Sequence, residues 1–169
     1  MSRVLLTGLS GTGKSTLIEQ LAACGFKAVD LGSDEWSEWA EINFAGDPTP
    51  GDSPVEPDRD WVWREDRVQA LLSPPEPGIL FVAGCAPNMS KFRDRFDSIV
   101  LLSAPAEVIA ERLSTRSDNQ YGKRPDELAR VLAQRDVIEP LLRKLADREI
   151  DTGASVEDVV QSILRIARD

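Results

Sequence analysis

The stretch "RVLLTGLSGTGKSTL", Arg3–Leu17, places three unlike patterns in immediate succession. "RVLLT" (Arg3–Thr7) is a short apolar run of the kind that forms a strand covered on both faces. "GLSGTGKS" (Gly8–Ser15) matches G-x-x-x-x-G-K-[ST], and a helical pattern runs from Lys14 to about Cys24. Strand, glycine-rich turn and helix, in that order, form the context that makes the motif a P-loop. Glycines let successive amides turn inward around an anion, and the next helix N-terminus adds positive partial charge. Gly8, Gly11, Thr12, Gly13, Lys14, Ser15 and Thr16 are therefore the expected nucleotide-binding residues. Lys14 is expected to reach the β- and γ-phosphates, and the Ser15 hydroxyl to ligate Mg²⁺.

Outward from this stretch, apolar runs alternate with helical patterns. "KAVD" (Lys27–Asp30), "ILFVA" (Ile79–Ala83), "SIVLLS" (Ser98–Ser103) and "EIDT" (Glu149–Thr152) read as further strands. "PAEVIAERLSTR" reads as a helix with Pro105 near its first turn, and a long helix is expected from Pro125 to about Ala146, with a bend at Pro140. Ser155 can cap a last helix ending near Ala167. Alternating strands and helices imply an α/β fold with a parallel sheet and right-handed crossovers, in one domain covering 1–169. Two stretches break the rhythm: "INFAGDPTPGDSPVEPDR" (Ile42–Arg59), with four prolines, and the polar, basic "SDNQYGKR" (Ser117–Arg124). Loops of this kind inside a compact domain are commonly functional.

Composition narrows the classes. At 169 residues, 41% hydrophobic and 29% charged, the chain has the make-up of a soluble globular domain. A formal net charge of -9 argues against a broad nucleic-acid or membrane-binding face. Two cysteines, Cys24 and Cys85, make no disulfide framework, and the first residues lack the apolar core and cleavage pattern of a signal peptide, so the expectation is cytoplasmic. With no histidine, a general base must be another group, most plausibly Asp or Glu.

A P-loop alone does not separate kinases, GTPases, motors and sensors. Neither a DxxG switch nor an NKxD signature is present, and "ILFVA" ends in Gly84-Cys85 rather than in an acid. The available acids are Asp30, ending the second strand, and Asp34 after it. A P-loop near residue 10, Asp30, Gly84 after the third strand, the basic "RSDNQYGKRP" and the terminal "ADREIDTGASVEDVV" together resemble the shikimate kinase/gluconate kinase branch of small P-loop kinases. That resemblance implies a five-stranded parallel sheet of order 2-3-1-4-5 flanked by helices, an acceptor-binding region at about 33–72 and a mobile lid at about 116–125. It implies ATP and Mg²⁺ as cofactors and a small-molecule acceptor. It also implies that Asp30 contacts the Mg²⁺ shell and the acceptor hydroxyl, with Asp34 as a second acid, since Gly32 stands where the family often has one. In the lid, Arg116 would lie over adenine and Arg124, beside Lys123, would touch phosphates during transfer. Gly84 would offer its amide to substrate, and Arg135, in "QRDVIEPLL", resembles an arginine that binds the acceptor's acid group.

"DWVWREDRV" (Asp60–Val68) holds two of the four tryptophans, the others being Trp36 and Trp39. A helix starting near Asp60 would align Trp61, Arg64, Val68, Leu71 and Leu72 on one apolar stripe. A guanidinium on such a stripe needs an anion, supplied by the protein or by a substrate. "WRED" (Trp63–Asp66) also resembles the family's helix start whose arginine grips the acceptor, which makes Arg64 an acceptor ligand; of Trp61 and Trp63, one would then be core and the other would line the pocket. Asp34 has a plainer reading as a helix N-terminal acid before "EWSEW". The expected function is transfer of the γ-phosphoryl group of Mg-ATP to a small anionic metabolite. A nucleoside or nucleotide kinase is the alternative within enzymes, and an ATP-binding sensor or scaffold the alternative outside them.

Overall fold

A computed structural model describes residues 2–9, 11–41, 59–74, 77–115 and 123–169. The elements are β1 (Ser2–Thr7), α1 (Lys14–Ala23), β2 (Lys27–Asp30), β3 (Ser37–Glu41), β4 (Arg59–Trp63), α2 (Glu65–Leu72), β5 (Ile79–Ala83), a 3-10 segment (Met89–Arg95), β6 (Ser98–Ser103), α3 (Ala106–Thr115), α4 (Pro125–Leu145), β7 (Arg148–Asp151) and α5 (Val156–Arg168). Five strands form a parallel sheet in the order β2-β5-β1-β6-β7. Counting only the strands of this sheet, that is the expected 2-3-1-4-5. β3 and β4 form a separate antiparallel pair.

The sheet is the middle of three layers because its strands are apolar on both faces. On one side Val4, Leu6, Phe81 and Val100 meet α1 through Leu17 and Leu21, and α5 through Val160 and Ile163. On the other side Leu5, Val82, Ile99 and Leu101 meet α2, the 3-10 segment and α4 through Val68, Leu72, Phe92, Ile138 and Leu142. α4 begins with Pro125 and continues through Pro140, which sits on its exposed side. α5 starts where expected, the Ser155 hydroxyl accepting the Asp158 amide at 3.2 Å. Among the described residues no helix is long and apolar enough to cross a membrane.

The expected helix from Asp60 is a correction. Arg59–Trp63 is strand β4, paired with β3 so that Trp39 lies opposite Trp61 and Ser37 opposite Trp63. α2 starts only at Glu65. The Trp-Val-Trp sequence is rich in strand formers, and the acids Glu65 and Asp66 belong in a first helical turn, so the boundary falls between them. "EWSEW" likewise leads from a turn into β3, so Asp34 precedes no helix.

Trp63 is the residue that anchors this hairpin. It is 2% exposed, and its ring packs 5.8 Å from that of Phe92. The Asn88 side chain brackets its backbone, accepting the Trp63 amide at 3.0 Å and donating to its carbonyl at 3.0 Å. The indole also lies flat over Gly84, where a Cβ would stand 3.0 Å from Cζ2 and Nε1. The Gly84 amide donates to the Leu6 carbonyl at 3.1 Å. Gly84 therefore makes room for Trp63, and its amide is spent inside the sheet instead of facing a substrate. Gly84→Ala is expected to destabilise the fold by about 1–3 kcal/mol, because a buried indole and not a flexible chain end must move. Denaturant unfolding followed by circular dichroism reads this, and an unchanged midpoint would refute it.

Candidate phosphate-binding site

The loop between β1 and α1 takes its shape from glycines and from its surroundings. Gly11 and Gly13 have φ of 83° and 96°, in the left-handed region that favours glycine. A Cβ on Gly8 would lie 2.5 Å from the Leu102 carbonyl oxygen, and one on Gly11 would lie 3.0 Å from the Ile109 side chain. The loop is thus pressed against the end of β6 and against α3. Within it, the fully buried Thr12 donates its hydroxyl to the Leu9 carbonyl at 2.7 Å and its amide to the same oxygen at 3.3 Å. Lys14 folds back over the loop, its ammonium donating to Gly8 O at 2.5 Å and Leu9 O at 2.9 Å. Of the expected nucleotide-binding set, Thr12 serves the loop's own closure, whereas Ser15 and Thr16 are exposed on the first turn of α1.

That first turn differs from the others. α2, α3, α4 and α5 each carry acids there: Glu65 and Asp66, Glu107, Asp126 and Glu127, Glu157 and Asp158. α1 has none, and its N-cap Gly13 provides no side-chain cap. Its terminal amides and its partial positive charge are left for an anion from outside the helix.

Two oxygen groups converge beside it. Ser15 donates its hydroxyl to Asp30 Oδ2 at 2.8 Å, and Asp30 Oδ1 accepts the Gly32 amide at 2.9 Å. Asp30 ends β2, in register with Ala83 of β5, and β5 in turn pairs with β1. The carboxylate and hydroxyl therefore meet across the C-terminal end of β5, at the edge where open α/β sheets bind ligands. A hydroxyl and a carboxylate are hard oxygen donors, the set Mg²⁺ takes when phosphates complete its shell. Among the described residues no group of three or more His, Cys, Asp or Glu is placed to hold a metal.

The remaining expected residues are distributed more widely. Asp34 is exposed, and its carbonyl accepts Arg64 Nε at 3.1 Å. Arg64 stands at the N-cap position of α2, off the helix's buried stripe, and pairs with Glu38 at 2.8 Å. The anion it needs is supplied by the protein. Arg135 lies 3.7 Å from Glu139, one turn further along α4. Glu139, 7% exposed, also receives Arg143 at 3.0 Å. Arg135 thus has an acid neighbour within its own helix, and its buried Nε makes no hydrogen bond among the described residues. Arg124 is exposed at the start of α4, 3.4 Å from Asp126. Arg116 lies outside the described residues, as do most of the expected lid and the segment 42–58.

Two residues not singled out from the sequence meet the loop from behind. Arg112 of α3 donates to the Gly11 carbonyl at 3.2 Å and to Thr152 Oγ1 at 2.9 Å, and it also bonds the Thr152 carbonyl. The Thr152 hydroxyl lies 2.7 Å from the Thr12 carbonyl. Burial pulls the Arg112 guanidinium below the ordinary arginine value, against Asp151 and Glu111, which raise it. It remains a cation, since arginine does not deprotonate in proteins. The sequence signal was present: Arg112 sits between the buried Ile109 and Leu113, at the edge of an apolar stripe.

Residues 4–133 match the family model described as AAA domain. Among curated proteins none matches. Among solved structures, a shikimate kinase from Acinetobacter baumannii in complex with shikimate superposes with a TM-score of 0.63 at 20% identity, over 98% of this chain and 92% of that one. A gluconokinase from Sinorhizobium meliloti gives 0.57 at 19% identity, over 99% and 94%. A sugar kinase from Janibacter gives 0.52 at 22%, over 98% and 93%. At these identities the likeness is one of fold.

The bare first turn of α1 makes a prediction. Thr16→Asp puts a carboxylate among the α1 amides, so pyrophosphate and ATP affinity should fall at least tenfold. The melting temperature should hold or rise slightly, because an acid there favours the helix dipole. Calorimetric titration with pyrophosphate reads the first effect; unaltered affinity would remove the anion site from this turn.

Proposed function

Since the chain belongs to the AAA domain family, we propose that it is an ATP-dependent phosphotransferase that moves the γ-phosphoryl group of Mg-ATP to a hydroxyl of a small, anionic metabolite. The observation that carries this is the Ser15–Asp30 hydrogen bond of 2.8 Å beside the uncapped start of α1. It supports a metal-ligating role for the hydroxyl and a proton-accepting role for the carboxylate at the phosphate edge. A shared fold with structures titled shikimate kinase, gluconokinase and sugar kinase supports it.

In this reading the loop amides and Lys14 hold the phosphates, Lys14 leaving the Gly8 and Leu9 carbonyls to do so. Ser15 and Asp30 hold Mg²⁺, which when bound offsets negative charge on the transferring group. The acceptor hydroxyl oxygen forms a bond to the γ-phosphorus as the bond to the β–γ bridging oxygen breaks. ADP keeps that electron pair, and the hydroxyl proton passes to Asp30, with Asp34 as the second acid of the site. Arg116 covers the base and Arg124 closes over the γ-phosphate from the lid. Positioning and electrostatics do the rest. Arg64, one-third exposed and oriented by Glu38, receives the acceptor's anionic group.

An exposed Trp39 on β3, 40% accessible, favours one second reading, in which the acceptor is a nucleoside or nucleotide whose base stacks there. Incubation with γ-labelled ATP, Mg²⁺ and fractionated metabolites decides between these and a non-catalytic ATP sensor. Labelled sugar acids or other carboxylates support the first, labelled nucleotides the second, and no labelled acceptor the sensor. With an acceptor in hand, Asp30→Asn should lower kcat by about 100-fold or more while ATP affinity stays within a few-fold. Arg64→Ala should raise the acceptor KM at least tenfold and leave the ATP KM unchanged. Equal loss of both, or loss of folding, would return Arg64 to a purely structural pair.

A further inference from the structure

The back of the phosphate loop is held by a relay that the P-loop motif does not contain. Thr152, 4% exposed, lies in the turn after β7 and is fixed there by its own amide, which donates to the Ser103 carbonyl at 2.7 Å. Its hydroxyl is 2.7 Å from the Thr12 carbonyl and 3.1 Å from that of Ser103. The single proton goes to the nearer oxygen. The same hydroxyl accepts from Arg112 at 2.9 Å, and Arg112 also donates to the Gly11 carbonyl at 3.2 Å. The guanidinium donates to the hydroxyl and the hydroxyl to the carbonyl, a chain running one way in which each bond strengthens the next.

The consequence follows from peptide geometry. In a trans peptide the carbonyl and the next residue's amide point to opposite sides. Holding the Thr12 carbonyl outward against Thr152 turns the Gly13 amide to the inner side of the loop, at the head of α1. Holding the Gly11 carbonyl against Arg112 turns the Thr12 amide inward, where it closes on Leu9 O at 3.3 Å. Glycines permit this orientation without selecting it, since they populate other backbone regions as readily.

We propose that Thr152 and Arg112 are positioning residues for nucleotide binding: Thr152 fixes the Thr12–Gly13 peptide in the anion-receiving orientation, Arg112 holds the Gly11–Thr12 peptide in the loop's own closure, and together they tie α3 and the β7–α5 turn to the occupancy of the loop. This rests on the nucleotide site of the preceding section and adds residues to it. Neither touches phosphate; both act through loop carbonyls.

Thr152→Val removes the hydroxyl and keeps the volume. Calorimetric titration of the full chain with Mg-ATP should show affinity about tenfold weaker, the scale of one well-made hydrogen bond. Thr152→Ser should restore it. Any acceptor KM should not move. Arg112→Lys, which keeps the charge but loses the fork, should fall between wild type and Thr152→Val. ATP affinity of Thr152→Val equal to wild type overturns the proposal, and so does a Thr152→Ser that is as impaired as Thr152→Val. If Thr152→Val does not fold, Arg112→Lys decides alone, wild-type affinity refuting the proposal. A wild-type protein that binds ATP but labels no acceptor defeats the kinase reading without touching this one.

Discussion

A phosphate loop has to send its amides inward, so its carbonyls must be satisfied on the other side or in the loop itself. Buried backbone groups without partners are costly, and this one requirement organises the molecule around Gly8–Gly13. The Leu9 carbonyl takes the Thr12 hydroxyl, and Lys14 reaches both Gly8 and Leu9. The carbonyls of Gly11 and Thr12 take their partners from α3 and from the turn after β7. The end of β6, α3 and the turn after β7 are therefore not only cover for a sheet. They supply the outer wall against which the loop is folded.

The same economy explains the opposite side of the cleft. Asp30 and Ser15 meet beside the end of β5, and the chain past β5 has to stay clear of them. Gly84 spends its amide on Leu6 and presents no side chain, and the Trp63 indole fills the space this leaves. Asn88 then closes both backbone hydrogen bonds of Trp63 that a third strand would otherwise make. The Trp63 ring, the Asn88 amide and the Ser37 hydroxyl, which donates to the Leu31 carbonyl just past β2, attach the β3–β4 pair beside the sheet. It needs no continuous ladder.

What was legible in the sequence was local. Strand, loop and α1 lie within one short stretch, and most of the sheet strands announce themselves as apolar runs, so the α/β fold was readable, whereas the strand order came from the family resemblance. Asp30 was readable because it ends a strand. The hairpin was not, because β4 finds its partner β3 across the segment 42–58, and a Trp-Val-Trp run flanked by acids suits the start of a helix as well as a strand. The place of Arg112 at the edge of an apolar stripe was visible, but what Arg112 and Thr152 bond was hidden for the same reason in stronger form. Their partners Gly11 and Thr12 are 101 and 140 residues away, and no spacing rule reaches that far. Arg64 and Arg135 were both expected to meet an acceptor's anionic group; each also faces an acid of the chain, on β3 and one helical turn away respectively.

The two pairs are not alike, and the difference bears on where an acceptor is held. Glu139 is 9% exposed at its side chain and shared by Arg135 and Arg143, so removing either cation leaves a charge in a poorly solvated place. Such a carboxylate has no reason to release its partner. The Arg64–Glu38 pair is 33% and 49% exposed, and an ion pair in that setting contributes about 0–1 kcal/mol. The second bond of Arg64, from Nε to the Asp34 carbonyl, holds the side chain in place whichever anion faces its terminal nitrogens. On the proposed function, Glu38 would be exchanged for a carboxylate or phosphate of comparable charge at little loss, while the arginine stays beside Asp34. An arginine so placed is oriented in advance of binding without being used up by it, which is the condition a recognition cation has to meet.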